Sequence, residues 1–215
     1  MKLQLGCGET YLKGYINVDF PSAKHSVQKK RVADICADIL RLRYPPESIE
    51  EVRLHHVFEH FTRPVALALL VSWRSWLIPC GTIRIEVPDF DKTASQILNR
   101  FTNTKQKHIA LRHIFGSQEA PWANHFEGWS EDRLKSLFIL FGFKPKKMSK
   151  NSWRGTYNLE IIATKMAKIM NKKEFEDIAE SVLANYLLDR SPSELRLLSV
   201  WMKIYKDQIR NTWAK

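Results

Sequence analysis

Two short apolar runs near the start of the chain constrain its fold most, because they lie too close together for a helix between them. The first run covers residues 2–5 and ends abruptly at Gly6-Cys7-Gly8, and the second covers residues 15–20. Parallel strands need a crossover of about a dozen residues or more, which usually contains a helix. The crossover between these two runs is therefore predicted to be a turn or a truncated helix.

Glycines and an acid stand where these two runs end. Gly6 and Gly8 permit a tight turn and a close approach of a ligand to the backbone. Asp19 lies at the end of the second run, where a carboxylate accepts hydrogen bonds from ribose hydroxyls in nucleoside-binding α/β proteins. Together they predict a nucleoside-binding site.

The rest of the chain alternates between further strand and helix patterns. The other predicted strands are residues 32–36, 52–58, 82–87, 144–150 and 157–166, with the last two as an antiparallel pair. Predicted helices cover residues 64–77, 91–115 with a break near Asn103, 130–142, 172–188 and 193–213.

Five short motifs, taken in order, carry a family resemblance. Residues 3–8, 17–19, 37–39, 56–60 and 87–89 resemble the LxxGCG, NVD, ADI, HVxEH and VPD motifs of a compact group of class I S-adenosylmethionine-dependent methyltransferases. The resemblance covers about residues 2–166. It implies an α/β fold: a Rossmann-like sheet of about seven mostly parallel strands with a truncated first crossover helix. It also implies a methyltransferase domain over residues 1–168 and a C-terminal helical extension over residues 169–215.

The resemblance implies S-adenosyl-L-methionine as the cofactor. The residues that would bind it are Leu5, Gly6, Cys7, Gly8, Asp19, Phe20, Asp38, Ile39 and His56. Asp38 has a second interpretation, as a negative charge at the beginning of a short turn, and both interpretations stay open.

Two histidines are the catalytic candidates, because an oxygen acceptor often needs a base and histidine titrates near neutral pH. His60 follows the fourth predicted strand, and His125 lies in a loop over residues 116–128 that also holds Trp122. The alternative is structural: His60 caps the following helix, and His125 hydrogen-bonds a backbone carbonyl. Adjacent histidines on one strand point to opposite faces. His55, His56, His60 and His125 are therefore not expected to share a metal, and no metal site is predicted.

Net charge and cysteine content bear on the partners and the cellular setting. The formal net charge of +11 favours anionic partners. The alternative is a solvated basic surface, to which the basic segment of residues 21–31 contributes. Three widely spaced cysteines form neither a disulfide framework nor a zinc motif, which favours a reducing, cytoplasmic setting. The longest aliphatic run, residues 65–71, is too short to cross a bilayer.

Three functions remain open from the sequence. The first is a methyltransferase for a small polar acceptor such as a sugar or glycan precursor. The second is a nucleic-acid (RNA) methyltransferase, which the basic charge supports but which lacks a recognised RNA-binding module. The third is a non-catalytic methyltransferase-like binding protein. The two C-terminal helices are expected to pack their apolar stripe on the core or to form a homodimer.

Overall fold

A seven-stranded sheet forms the centre of the computed structural model, which describes residues 1–21 and 30–213. Residues 22–29, within the predicted basic segment, and residues 214–215 lie outside the described residues. The strands are β1 (Lys2–Leu5), β2 (Ile16–Asp19), β3 (Ile35–Cys36), β4 (Ile49–His55), β5 (Leu77–Pro88), β6 (Phe143–Trp153) and β7 (Thr156–Lys165). Their order is β3-β2-β1-β4-β5-β7-β6. Strands β1 to β5 are parallel, and β7 is antiparallel to both of its neighbours, which confirms the predicted sheet.

Six α-helices follow the predicted order. They are α1 (Arg63–Trp76), α2 (Phe90–Leu98), α3 (Thr104–Phe115), α4 (Glu131–Leu140), α5 (Lys172–Ala184) and α6 (Pro192–Trp213). The predicted break near Asn103 separates α2 from α3, because the Asn103 side chain and Gln106 form a reciprocal capping box there. The Ser130 side chain caps α4 as expected, and Gly142 follows its end with a φ of 76°.

The crossover from β1 to β2 contains no helix in residues 8–14, which confirms the predicted truncation. The buried side chain of Asn17 takes over the hydrogen bonding that a helix would supply. Its Oδ1 accepts from Leu12 N at 2.9 Å, and its Nδ2 donates to the carbonyl oxygens of Leu12 at 3.2 Å and Tyr15 at 3.1 Å. Nδ2 also donates to Asp34 Oδ2 at 2.9 Å, so one amide ties the crossover to the beginning of the next segment.

The two faces of the sheet differ sharply in polarity. Residues that alternate along a strand share a face, and one face is apolar, each of its side chains being at most 1 % exposed. This face consists of Leu3, Leu5, Val18, Val52, Leu54, Ile83, Ile85, Val87, Leu159, Ile161 and Ala163. The opposite face carries polar side chains in the same register: Gln4, Asn17, Asp19, Arg53, Arg84, Glu86, Asn158 and Glu160.

The C-terminal helices share the core of the sheet. Phe175 and Leu183 of α5, and Tyr205 and Ile209 of α6, belong to the same cluster of buried residues as the apolar sheet face. Helix α6 contacts α1 and the short 3-10 helix Ile39–Arg41, and Gln208 Nε2 donates to Leu40 O at 2.8 Å. The apolar stripe therefore packs on the core, while the domain boundary at residue 168 stays a prediction.

Strand β4 ends earlier than the sequence suggests, at His55 and not at residue 58. His56 has a φ of +53°, in the left-handed region, and turns the chain into a 3-10 helix over Phe58–His60. This turn changes the directions of the side chains that follow the strand, and the candidate site depends on it. No helix within the described residues is both long and apolar enough to span a bilayer.

Candidate functional site

A cleft of about 540 Å³ lies at the carboxyl ends of β1, β2 and β4. Ligands of open α/β sheets bind at these ends, outside the strands. The lining includes eight of the nine predicted cofactor-binding residues: Gly6, Cys7, Gly8, Asp19, Phe20, Asp38, Ile39 and His56. The predicted residue Leu5 is fully buried in the core and does not line the cleft.

The glycine turn after β1 requires its glycines for two different reasons. Gly6 has a φ of +70°, and a Cβ there would overlap Cγ2 of Val57, so a side chain would be both strained and obstructed. Gly8 has a φ of +56°, which favours glycine, and among the described residues no atom lies within 4 Å of where a Cβ would be. The turn thus exposes backbone to the cleft.

Asp19 fixes this turn to the end of β2. One carboxylate oxygen accepts a hydrogen bond from Gly8 N, and the other accepts from Phe20 N at 2.7 Å. The residue is only 6 % exposed, yet it lines the cleft. The carboxylate of Asp19 thus holds the glycine turn and borders the cleft at the same time.

Asp38 is the cap of the 3-10 helix Ile39–Arg41, since its Oδ1 accepts from Leu40 N at 2.9 Å. It also lines the cleft together with Ile39. Asp38 therefore caps a short turn and lines the cleft, and its predicted role in cofactor binding stays a prediction.

Aromatic rings close one side of the cleft. Phe20 and Trp122 both line it, with ring centroids 6.1 Å apart and planes tilted by 47°. Trp122 belongs to the loop over residues 116–128, which is held down by Phe126 N donating to Glu59 O at 2.8 Å. The loop that holds His125 thus reaches the cleft through Trp122.

Glu59 is the centre of a buried histidine cluster. Its side chain is fully buried, and His56 Nδ1 donates to its Oε1 at 3.2 Å. His125 Nε2 lies 4.0 Å from the same oxygen, and the rings of His60 and His125 meet edge to face at 4.6 Å. His60 lines the cleft, whereas His125 lies behind it and does not.

Backbone carbonyls orient the two candidate catalytic histidines. His60 Nδ1 donates to Asn124 O at 3.0 Å, and His125 Nδ1 donates to His113 O at 3.0 Å. The structural role considered for His125, a hydrogen bond to a backbone carbonyl, is therefore present. A catalytic role for either histidine stays a prediction, and His60 is the one that faces the cleft.

The pKa values of these groups are shifted in different directions. Burial lowers the pKa of His56, but the hydrogen bonds and charges of Glu59 and Glu86 outweigh it and raise that pKa to about 9. Burial disfavours the charge of Glu59, but its contacts with His56 hold the pKa of its carboxyl below the usual range. Burial lowers the pKa of His125, and the charge of Glu59 offsets only part of that effect. A cationic His56 therefore sits between two buried carboxylates.

Cys7 lies between the glycines but is no nucleophile at neutral pH. Burial, followed by the negative charge of Asp19, raises the pKa of its thiol to about 12, so the thiol stays protonated. The side chain is buried and fills space in the turn.

Sequence reasoning missed several members of the site. Arg53 and Val57 line the cleft, and His113 supplies the carbonyl that orients His125. Val57 lies within the motif of residues 56–60, which is a usable signal, whereas Arg53 lies three residues before that motif. The sequence contains no signal for His113, because this residue reaches the cluster only when α3 folds back against it.

Solved structures of methyltransferases share this fold. The chain matches a structure of S-adenosylmethionine-dependent methyltransferases from Methanosarcina mazei with a TM-score of 0.50 and 15 % identity, over 77 % of this chain and 92 % of that one. It matches the 1,6-didemethyltoxoflavin-N1-methyltransferase of Burkholderia thailandensis, solved with S-adenosylhomocysteine, with a TM-score of 0.50 and 14 % identity, over 76 % and 70 %. This chain has the class I methyltransferase fold. No protein-family model and no curated protein matches it.

Proposed function

We propose that the protein is an S-adenosylmethionine-dependent methyltransferase. One observation carries the proposal: the glycine turn after β1 and the carboxylate of Asp19 at the end of β2 border the same cleft. In this proposal Asp19 binds the ribose hydroxyls, and Asp38 and Ile39 border the adenine. Because the sulfonium is already activated, the protein's main task is to align the acceptor with the methyl group.

The acceptor in this proposal is a small polar molecule such as a sugar or glycan precursor. Three features of the cleft support it: the ring of Trp122 offers a flat apolar surface, Arg53 offers a cation, and His60 offers an imidazole. Rings with several hydroxyls are oriented by such combinations of flat and polar groups. His60 faces the acceptor, and His125 positions His60 from behind.

The setting and assembly form part of the same proposal. The free thiols of Cys7, Cys36 and Cys80 fit a reducing, cytoplasmic compartment. A homodimer would use the outward row of α6, where Leu197, Val200 and Ile204 are between 38 % and 54 % exposed. Light scattering of the purified chain tests the dimer by its mass.

Calorimetric titration with S-adenosylmethionine tests the function. Asp19→Ala removes the acceptor for ribose hydroxyls, and we expect binding to weaken by about ten- to a hundredfold. Glu51→Gln is the control, because Glu51 carries a carboxylate on the same sheet face, paired with Lys2 at 3.6 Å, but does not line the cleft. Absence of cofactor binding to the wild-type protein contradicts the proposal. Equal affinity of wild type and Asp19→Ala contradicts the role of Asp19.

A further inference from the structure

The cluster of Glu59, His60 and His125 has the composition of a metal site. One possible ligand atom from each residue lies within 4.8 Å of the corresponding atoms of the other two. Glu59 Oε2 is buried without a hydrogen-bond partner among the residues that the structure describes. A buried carboxylate oxygen without a partner is costly unless a cation or a donor compensates it.

The tautomers of the two histidines leave their other nitrogens available. A backbone carbonyl can only accept, so Nδ1 of His60 and Nδ1 of His125 carry the protons that they donate to Asn124 O and His113 O. In a neutral ring the Nε2 atom then has a lone pair. His125 Nε2 lies 4.0 Å from Glu59 Oε1, and one possible ligand atom of His60 lies within 4.8 Å of those of both residues. A cation between the three groups would be attracted by the carboxylate and by both lone pairs.

Supporting hydrogen bonds are already in place around all three side chains. Metal-binding histidines almost always donate their second nitrogen to a carbonyl or carboxylate, which fixes the ring. Both histidines do so here, and Glu59 Oε1 is held by His56 Nδ1 at 3.2 Å.

We propose that Glu59, His60 and His125 bind a zinc ion. Two histidines and one glutamate are a ligand set of catalytic zinc sites, which keep a fourth position open. Tetrahedral bonds of about 2.1 Å place neighbouring ligand atoms about 3.4 Å apart. The separations here, 4.0 Å between His125 Nε2 and Glu59 Oε1 and up to 4.8 Å within the group, would shorten by side-chain rotation when the ion binds. The open position would face the cleft, because His60 lines it.

The second group of possible ligands, His55, His56 and Glu86, is a weaker candidate. His55 Nε2 and Glu86 Oε1 already form an ion pair at 3.0 Å, and Asn151 donates to Glu86 Oε2 at 3.1 Å. These partners satisfy the carboxylate of Glu86. The group therefore serves as the control for the proposed zinc site.

The proposed site differs from an expectation from the sequence. Adjacent histidines on a strand diverge, and that argument holds for His55 and His56. Glu59 and His60, however, follow the end of β4 on the 3-10 helix Phe58–His60, where the period is three residues per turn. Their side chains can therefore converge with His125 from the loop. Zinc binding does not depend on the proposed function, whereas coordination of an acceptor oxygen at the open position does.

Metal titrations of the chelator-treated protein test the site. With ZnCl₂, measured by competition with a chromophoric chelator, we expect one ion per chain. With Co²⁺ as the probe, we expect the visible absorption bands of a four-coordinate site with nitrogen and oxygen ligands. His60→Gln should weaken zinc binding by about a hundredfold or more, since it removes a direct ligand and even the outer partners of metal ligands contribute about ten- to a hundredfold. His55→Gln should leave the affinity unchanged.

Three outcomes overturn the proposal. These are the absence of stoichiometric zinc in the wild type, equal zinc affinity in His60→Gln and wild type, and a loss of zinc with His55→Gln that His60→Gln does not cause. His125→Gln repeats the test from the loop side if His60→Gln fails to fold, which circular dichroism detects. Because these titrations contain no S-adenosylmethionine, they succeed or fail separately from the cofactor experiment.

Discussion

The two faces of the sheet show how this chain combines a stable core with a reactive site. On the apolar face, Leu54 is 1 % exposed and belongs to the core cluster with residues from α1, α4, α5 and α6. On the polar face, the neighbouring Arg53 is half-buried and lines the cleft. The apolar face therefore forms the core, whereas the polar face contributes side chains to the candidate cleft.

The polar face is stabilised by specific pairs and not by apolar packing. Arg84 Nε contacts Glu160 Oε1 at 2.5 Å, and Glu86 pairs with His55 and His56 at 3.0 and 3.6 Å. Fully satisfied polar networks specify geometry, whereas partly broken ones are costly. This contrast between the faces leads to three predictions, which run from the largest expected effect to the smallest.

The sharpest contrast comes from two neighbours on β4. Leu54→Ala creates a cavity in the core, and we expect the free energy of unfolding to fall by about 2–5 kcal/mol. Arg53→Ala changes a half-buried polar position, and we expect a loss of less than about 1 kcal/mol. Urea unfolding of both variants measures the difference. Equal losses would show that the two faces do not differ in their contribution to stability.

A second prediction concerns the pH dependence of the metal-free protein. The pKa of His56 is raised to about 9, above the unfolded value of about 6.5. Its stabilising contribution is therefore complete below pH 6.5 and is lost as the pH rises through 9. We expect the free energy of unfolding to fall by roughly 1 to 3 kcal/mol across this range.

Variants separate His56 from other groups that titrate in the same range. His56→Gln should flatten this part of the stability profile, whereas His108→Gln, which changes an exposed histidine of α3, should preserve it. A profile that is unchanged in His56→Gln would mean that the ion pairs with Glu59 and Glu86 do not hold in solution.

The smallest of these effects concerns the crossover. Asn17→Ala leaves the backbone groups of Leu12 and Tyr15 without their side-chain partner. We expect a loss of about 1–2 kcal/mol, because water can reach part of this crossover and replace some of the hydrogen bonds. Hydrogen exchange should show faster exchange of the Leu12 amide. An unchanged exchange rate of the Leu12 amide would show that Asn17 does not hold the crossover.

Local patterns were sufficient to predict much of the fold. The spacing of the first two strands predicted the missing crossover helix, and capping residues such as Asn103 and Ser130 placed helix boundaries within a few residues. These features depend on neighbouring residues, so one sequence contains the signal.

The arrangement of the histidines was not predictable in the same way. His125 lies behind His60 because residues 116–128 are anchored on the backbone of Glu59, a contact between distant parts of the chain. The early end of β4, set by the left-handed conformation of His56, also has no clear signal in the residue types. Long-range packing decided which predicted residues meet.

A structure of the protein in complex with S-adenosylhomocysteine tests the central claim most directly. We expect the ribose hydroxyls within hydrogen-bond distance of Asp19, the adenine beside Ile39, and the sulfur on the side of the cleft where His60 lies. A ligand bound elsewhere on the chain, or one in the cleft whose ribose does not contact Asp19, would contradict it.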